Sequence, residues 1–205
     1  MAMFQHTLGI FVNPDRAWQG IRNEKQSFLR VYLSHVPLLA LIPAICGYIG
    51  VTQVGWSIAG GSVIRLTPES ALVLVVATYL AQLVTVYALG EYINWMSNTF
   101  GVAGDAKERH YGGTALAVYT AMPMMLAGVA LLYPHLWLVV SIFVIAACYS
   151  IYLTYEGIPI LMNIPPERGF IYASSVITVG LVLAVVVMVA TVIVWSSGMG
   201  PVFIR

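Results

Sequence analysis

Five long stretches of mostly apolar residues divide this sequence, and they constrain its fold more than any other feature. They cover residues 31–52, 69–99, 112–133, 136–155 and 170–195. Each is close to or above the ~20 residues that an α-helix needs to cross a bilayer. Only 8% of the residues are charged, whereas soluble domains carry about 25%. The sequence therefore predicts an all-α polytopic membrane protein with a bundle of five transmembrane helices over residues 31–205.

Residues 1–30 are the one long polar stretch, and we predict a cytoplasmic amphipathic segment here. Asn13 can cap a helix that begins at Pro14, with Trp18 on the apolar side of that helix. Its interfacial basic residues are Arg16, Arg22, Lys25 and Arg30. A basic amphipathic helix with a tryptophan is typical of segments that lie flat on an anionic leaflet, so the lipid bilayer is the expected partner. The alternative is a solvated leader that serves topology alone.

The basic residues are divided unevenly between the two sides of a five-span chain. Seven of the nine lie on the side of the N-terminus: Arg16, Arg22, Lys25, Arg30, Lys107, Arg109 and Arg168. The other two are Arg65 and Arg205. By the positive-inside rule, the N-terminus is predicted in the cytoplasm and the C-terminus outside. The net charge of +1 gives no general attraction for nucleic acid.

Spans two and four each end in a polar stripe with helical spacing. The stripes consist of Tyr87, Glu91, Asn94 and Asn98 in span two, and of Tyr149, Tyr152 and Glu156 in span four. Steps of three and four residues place each stripe on one helical face. Because both ends face the inner side, we predict that the stripes line one cytoplasm-facing pocket.

In such a pocket, Glu91 and Glu156 would share a proton or a cation, because neighbouring like charges disfavour double ionisation. An oxygen-rich lining favours a hard cation or a proton over zinc, and the identity of any metal stays open. The alternative is that both carboxylates only accept hydrogen bonds that hold the helices together.

A short motif follows the second stripe, where Gly157 and Pro159 come directly after the span. Glycine tolerates any backbone conformation and proline lacks an amide donor, so the pair predicts that the fourth helix ends here. The same residues belong to the sequence Tyr155 to Pro159, Tyr-Glu-Gly-x-Pro.

That motif, the early Asn-Pro-x-x-x-Trp at Asn13, Pro14 and Trp18, and the five spans resemble the Yip (Ypt/Rab-interacting protein) family, in its short bacterial branch. The motif residues are Asn13, Pro14, Trp18, Tyr155, Gly157 and Pro159. The resemblance implies a helical bundle in the bacterial inner membrane with a cytoplasmic N-terminus and an outer C-terminus. It also implies an association with membrane trafficking and membrane shaping, without an established enzymatic activity.

Motifs of catalysis are not recognisable in the sequence. It has no phosphate-binding glycine loop, no nucleophile paired with a base, and no metal-spaced cluster of histidine and cysteine. We therefore expect no enzymatic activity and no cofactor. The favoured function is a membrane-organising or trafficking-related scaffold that self-associates, and the alternative is a small transporter or channel that uses the carboxylate pocket.

Overall fold

The computed structural model describes residues 9–24, 27–57 and 62–204 of the chain. Two of the basic residues that entered the charge count, Lys25 and Arg205, lie outside these ranges. The described part is almost entirely helical, which confirms the predicted fold class. Five of its helices are long and apolar enough to cross a membrane.

The helices follow one another with short connections. Residues 9–12 are helical, and α1 comprises Pro14–Asn23. The membrane-spanning helices are α2 (Phe28–Ile49), α3 (Pro68–Ser97), α4 (Ala106–Ala127), α5 (Leu136–Met162) and α6 (Pro166–Val194). A π-helical turn at Gly50–Val54 extends α2, a 3-10 turn at Gly128–Leu132 extends α4, and Trp195–Met199 extends α6.

The start of α1 follows the sequence prediction. The Asn13 side chain accepts a hydrogen bond from the Arg16 amide at 3.3 Å, and Pro14 occupies the first helical position. Proline is suited to this position because its missing amide has no acceptor in the first turn. Asp15 adds a negative charge near the positive end of the helix dipole.

The end of α5 differs from the prediction. The helix does not stop near Glu156 but continues through Gly157 and Pro159 to Met162. Proline inside a helix removes one backbone hydrogen bond, a loss that packing against neighbouring helices offsets in membrane bundles. Helix α5 ends where Asn163 adopts a left-handed conformation, with φ 52° and ψ 51°.

The centre of the bundle is α4, which packs against α2, α3 and α5. Its side chains are buried along most of its length, including Leu116, Ala117 and Met122. Gly113 permits close approach to α3, since a Cβ there would lie 2.9 Å from the Asn94 nitrogen. Helix α6 packs against α3 and α5, and its Tyr172 hydroxyl donates to the Ile93 carbonyl of α3.

The two ends of the bundle have different chemistry. At one end, which we call the strand end, β1 (Arg65–Leu66) pairs antiparallel with β2 (Phe203–Ile204). The loop before α3 and the C-terminal segment are therefore neighbours. The opposite end, which we call the basic end, carries α1, the 98–105 connection and the start of α6. Contacts there join Tyr111 to Ile21 and bring Gly101 close to Arg168.

Candidate functional site

The basic end is organised by a contact between α1 and the last turns of α5. The Trp18 side chain is completely buried there. A Cβ added at Gly157 would lie 2.7 Å from two ring atoms of Trp18 and 2.8 Å from Leu116. Real side chains do not approach so closely, so only glycine at position 157 admits the indole ring. The two motifs that are far apart in the sequence thus meet in the fold, and we call this the α1 docking contact.

Aromatic rings connect the docking contact with the bundle core. Trp18 packs edge-on against Tyr119 of α4, with ring centroids 6.1 Å apart. Tyr119 in turn contacts His35 of α2 at 5.3 Å. The imidazole Nδ1 of His35 lies 2.9 Å from the Val31 carbonyl oxygen, one turn earlier in α2. The buried indole ring therefore connects the N-terminal segment to α4 and α5 directly, and to α2 through Tyr119.

Hydrogen bonds to backbone carbonyls fix the N-terminal segment on both sides of Trp18. The Tyr149 hydroxyl donates to the Ile10 carbonyl at 2.8 Å, and the Tyr111 hydroxyl donates to the Ile21 carbonyl at 2.7 Å. Phe11 stacks on the Tyr149 ring with centroids 5.5 Å apart. These contacts extend the interface over residues 10–21 and leave the segment little freedom to separate from the bundle.

This packing corrects the prediction that the apolar face of α1 lies on the lipid leaflet. Ala17, Trp18 and Ile21 are buried against protein, not directed at a membrane surface. Arg16 and Arg22 are exposed, so the basic face of the amphipathic helix is the one that points outward. The bundle offers Trp18 a close-packed site beside Gly157, and burial of a large aromatic side chain contributes strongly to such docking.

Glu156 lies at the rim of the docking contact beside Asp15 of α1. The two carboxyl groups are within hydrogen-bonding reach of each other. An ionised carboxylate only accepts hydrogen bonds, so a bond between them requires a proton on one of the two. Tyr152 is adjacent, and its ring packs against Tyr149 at 5.8 Å. Asp15, in the first turn of α1, is therefore an acidic neighbour of Glu156.

Glu91 has a different partner. Its Oε1 lies 2.7 Å from Nε2 of His110, at the start of α4, and His110 stacks on Phe28 with ring centroids 3.9 Å apart. Periodicity within one helix cannot pair these three residues, because each comes from a different helix. Together they tie the ends of α2, α3 and α4 to one another.

The seven residues of the predicted pocket thus lie in two clusters. Tyr87 contacts Tyr32 of α2, and the backbone of Asn94 packs against Gly113. Asn98 is the exposed C-terminal cap residue of α3. Helices α3 and α5 both pack against α4 and α6, and they make few contacts with each other. The central helix therefore separates the Glu91 cluster from the Glu156 cluster.

A cavity of about 880 Å³ opens beside the Glu91 cluster at the basic end. Its wall comes from the end of α1, the connection before α4, the first turn of α4 and the end of α5. Arg22, Lys107 and Arg109 bring positive charge to it, and Phe28 and Met162 bring apolar surface. None of the seven predicted pocket residues lines this cavity. From the sequence, Lys107 and Arg109 contribute only to the predicted topology, and Arg22 also belongs to the predicted amphipathic segment.

Comparisons with known proteins identify the family of this chain. The family model described as the Yip1 domain matches residues 8–188, nearly the whole chain. The chain belongs to the Yip1 family. This confirms the resemblance predicted from the two motifs and five spans.

Two relatives extend this Yip1 assignment. The chain is 35% identical over 193 residues to a protein called "Inner membrane protein YohC" from Escherichia coli strain K12. It has the same identity to the protein of that name from Escherichia coli O6:H1. In each case the match covers 94% of this chain and 97% of the relative. No solved structure matches the chain.

The Yip1 fold seen here forms no group of three or more histidine, cysteine, aspartate or glutamate side chains that could hold a metal ion, within the residues that the structure describes. The two carboxylates of the predicted pocket lie in separate pairs, Glu91–His110 and Asp15–Glu156. Each pair joins two different helices, so both pairs can hold helices together.

Proposed function

We propose that this Yip1 protein is a non-enzymatic, membrane-organising scaffold of the bacterial inner membrane that acts through helix packing and self-association. The observation that carries the proposal is the dense packing of α4 at the bundle centre. Leu116 and Met122 are fully buried, and Gly113 brings α4 against α3. A transporter has to open a path along the bundle, whereas a scaffold needs a stable body. The name of the Escherichia coli relatives supports an inner-membrane location.

The proposed orientation has the basic end in the cytoplasm and the strand end outside. The positive-inside rule supports it, because seven of the nine basic residues precede the first predicted span or lie in residues 100–111 and 156–169, between predicted spans. The pairing of β1 with β2 supports one part of it, since the 53–68 loop and the C-terminal segment share the other end. The exposed Arg16 and Arg22 would then face the anionic inner leaflet.

One observation favours a second candidate function, a transporter of protons or cations. Asp15 and Glu156 face each other, and such a pair can hold a proton or a small cation between its oxygens. A carrier would need this pair to reach both sides of the membrane. The pair lies at the basic end, and buried side chains of α4 such as Met122 and Met125 fill the bundle between it and the strand end, which favours the scaffold.

Reconstitution of the purified chain into anionic vesicles distinguishes the two functions. For a scaffold, we expect discrete oligomers by stepwise photobleaching of a fused fluorescent protein, and a change of vesicle curvature in electron cryomicrographs. Flux of protons and potassium, followed with entrapped dyes, should equal that of empty vesicles. Monomers that leave vesicle shape unchanged would overturn the scaffold proposal. A flux that the Glu156→Gln variant abolishes would establish the transporter instead.

A further inference from the structure

The cavity at the basic end combines cationic side chains with an apolar floor. Lys107 is exposed at its rim, Arg109 is half-buried, and Arg22 reaches it from α1. Leu161 and Met162 form part of the opposite wall. A volume of about 880 Å³ falls within the range of ligand-binding cavities in proteins. Charge above an apolar floor suits a ligand with an anionic head and an apolar body.

Two of the cations are held in place by backbone carbonyls. An Nη1 of Arg22 donates to the Ile160 carbonyl at 3.4 Å, and an Nη1 of Arg109 donates to the Gly104 carbonyl. A guanidinium has five donors in a fixed planar fork. One bond to a carbonyl orients this fork and leaves further donors for a ligand. Such a fork matches phosphate geometry, since it can bind two oxygens at once.

The first turn of α4 adds backbone donors to the same wall. Ala106 and Lys107 are its first two residues, and amides in the first turn have no acceptor within the helix. The positive end of the helix dipole is here as well. The Asp105 carboxylate is engaged as the helix cap, accepting the Glu108 amide at 2.7 Å.

The negative charges on the wall are outnumbered. Arg22, Lys107 and Arg109 stand against Asp105 and Glu108, and Glu108 itself has a further partner. His110 also lines the cavity, and its Nε2 is paired with the Glu91 carboxylate. Its Nδ1 is not part of that pair. The cavity therefore offers an anion three permanent cations at one end of the bundle.

We propose that this cavity binds a phosphate group through Lys107, Arg109 and Arg22. The group can come from an anionic phospholipid headgroup or from a soluble phosphate. The inference goes beyond the scaffold function and does not depend on it, because phosphate can bind whether or not the chain self-associates. The cavity lies at the basic end, where the predicted spans end, so a lipid headgroup at the membrane surface can reach it.

Native mass spectrometry of the full chain in detergent tests the proposal with three probes: phosphatidylglycerol, phosphatidylethanolamine and inorganic phosphate. We expect retained phosphatidylglycerol, and a Kd at least about tenfold weaker for the Lys107→Gln/Arg109→Gln double variant, which loses two charge-assisted contacts. Inorganic phosphate bound as tightly as the lipid would identify a soluble phosphate as the ligand. Wild-type protein that binds none of the three probes would overturn the proposal.

The matched control is the double variant Arg30→Gln/Arg168→Gln. It also removes two positive charges from the basic end, but it leaves every residue of the cavity wall unchanged. Its affinity should stay within about twofold of wild type, because the contacts to phosphate are intact. Equal weakening in both double variants would show that general charge attraction holds the lipid, and the site would be rejected.

A second measurement keeps the test valid if the Lys107→Gln/Arg109→Gln variant does not fold. Unaltered protein is reconstituted with a phosphatidylglycerol analogue that carries a photoreactive group next to its phosphate. After illumination, peptide mapping should find the crosslinks concentrated at residues 102–112 and 161–163, and an excess of unlabelled phosphatidylglycerol should suppress them. Crosslinks spread evenly over the lipid-facing helices would contradict a specific site.

Discussion

The indole ring of Trp18 lies directly against Gly157, at a distance that leaves no room for a side chain at that position. Trp18 precedes Gly157 by 139 residues, so the contact joins two segments that are distant in the sequence. It explains why a tryptophan in the first motif and a glycine in the second occur together. Replacing either residue should therefore weaken the attachment of α1 to the bundle.

Replacing Gly157 by alanine should destabilise the protein. The added methyl group would overlap the Trp18 ring and the Leu116 side chain, and overpacking of this kind costs about 1–3 kcal/mol. Thermal unfolding in detergent, followed by the fluorescence of the tryptophans, measures the effect. Gly180→Ala is the control, because no atom lies within 4 Å of a Cβ there. It should be neutral or slightly stabilising, and an equal loss in both variants would contradict the explanation.

Replacing Trp18 by alanine should release α1 from the bundle while the spans stay folded. The change leaves a large void at a fully buried position, and truncation of a buried Trp or Phe costs about 3–5 kcal/mol. Limited proteolysis should then cut within residues 9–24, which are protected in the wild type by packing and by the Tyr111 and Tyr149 hydrogen bonds.

Trp137→Ala is the matched control, since its side chain is 72% exposed on the lipid-facing surface. We expect unchanged protection of residues 9–24 in that variant. Trp18→Phe should retain most of the protection, because the buried Nε1 of Trp18 has no hydrogen-bond partner among the described residues. Protection that persists in Trp18→Ala would show that the hydrogen bonds alone attach α1.

How far the sequence predicts this arrangement depends on the range of the interactions. The spans follow from hydropathy, which is local, and the five predicted stretches correspond to α2 through α6. The prediction that α5 ends at Gly157 and Pro159 was wrong because both residues serve packing inside the helix. Gly157 admits the Trp18 ring, and Gly169 lies against the Pro159 ring. Rules for glycine and proline describe the isolated chain and contain no information on such distant partners.

The placement of the carboxylates shows the same limit. Spacing put Glu91 and Glu156 on polar faces at one end, and both are indeed at the basic end. Whether two such faces meet depends on the order of the helices around α4, which periodicity along one helix does not specify. The actual partners, His110 and Asp15, were visible in the sequence only as isolated polar residues.

Replacing Glu156 by glutamine should be neutral or stabilise the protein by up to about 1 kcal/mol. The amide keeps the shape and can donate to the Asp15 carboxylate without a bound proton. Glu91→Gln should instead cost up to about 1 kcal/mol, the usual value of a partly exposed pair, because it loses its charge opposite His110. Denaturant unfolding of both single variants measures the difference, and a large loss in Glu156→Gln would contradict the proposed role.

A double-mutant cycle with Asp15→Asn completes this prediction. If the two carboxyl groups contact each other, the effects of Asp15→Asn and Glu156→Gln should not add, since either change removes the same repulsion. The combination of Asp15→Asn with Glu91→Gln should be additive, because those residues belong to separate clusters. Additivity in both cycles would mean that Asp15 and Glu156 do not interact.

The orientation in the membrane should be the same for the C-terminus and for the loop before α3. Antiparallel pairing of Arg65 and Leu66 with Ile204 and Phe203 brings the two segments together, so they cannot lie on opposite sides. The positive-inside rule then places both outside the cytoplasm.

Alkaline phosphatase, which is active only outside, should be active when fused after residue 205 or inserted in the 53–68 loop. Green fluorescent protein inserted in the 98–105 connection should be fluorescent, because that connection is at the basic end. Fusions that report opposite sides for residue 205 and the 53–68 loop would contradict the strand pairing. Fusions that report the cytoplasm for both would contradict the orientation alone.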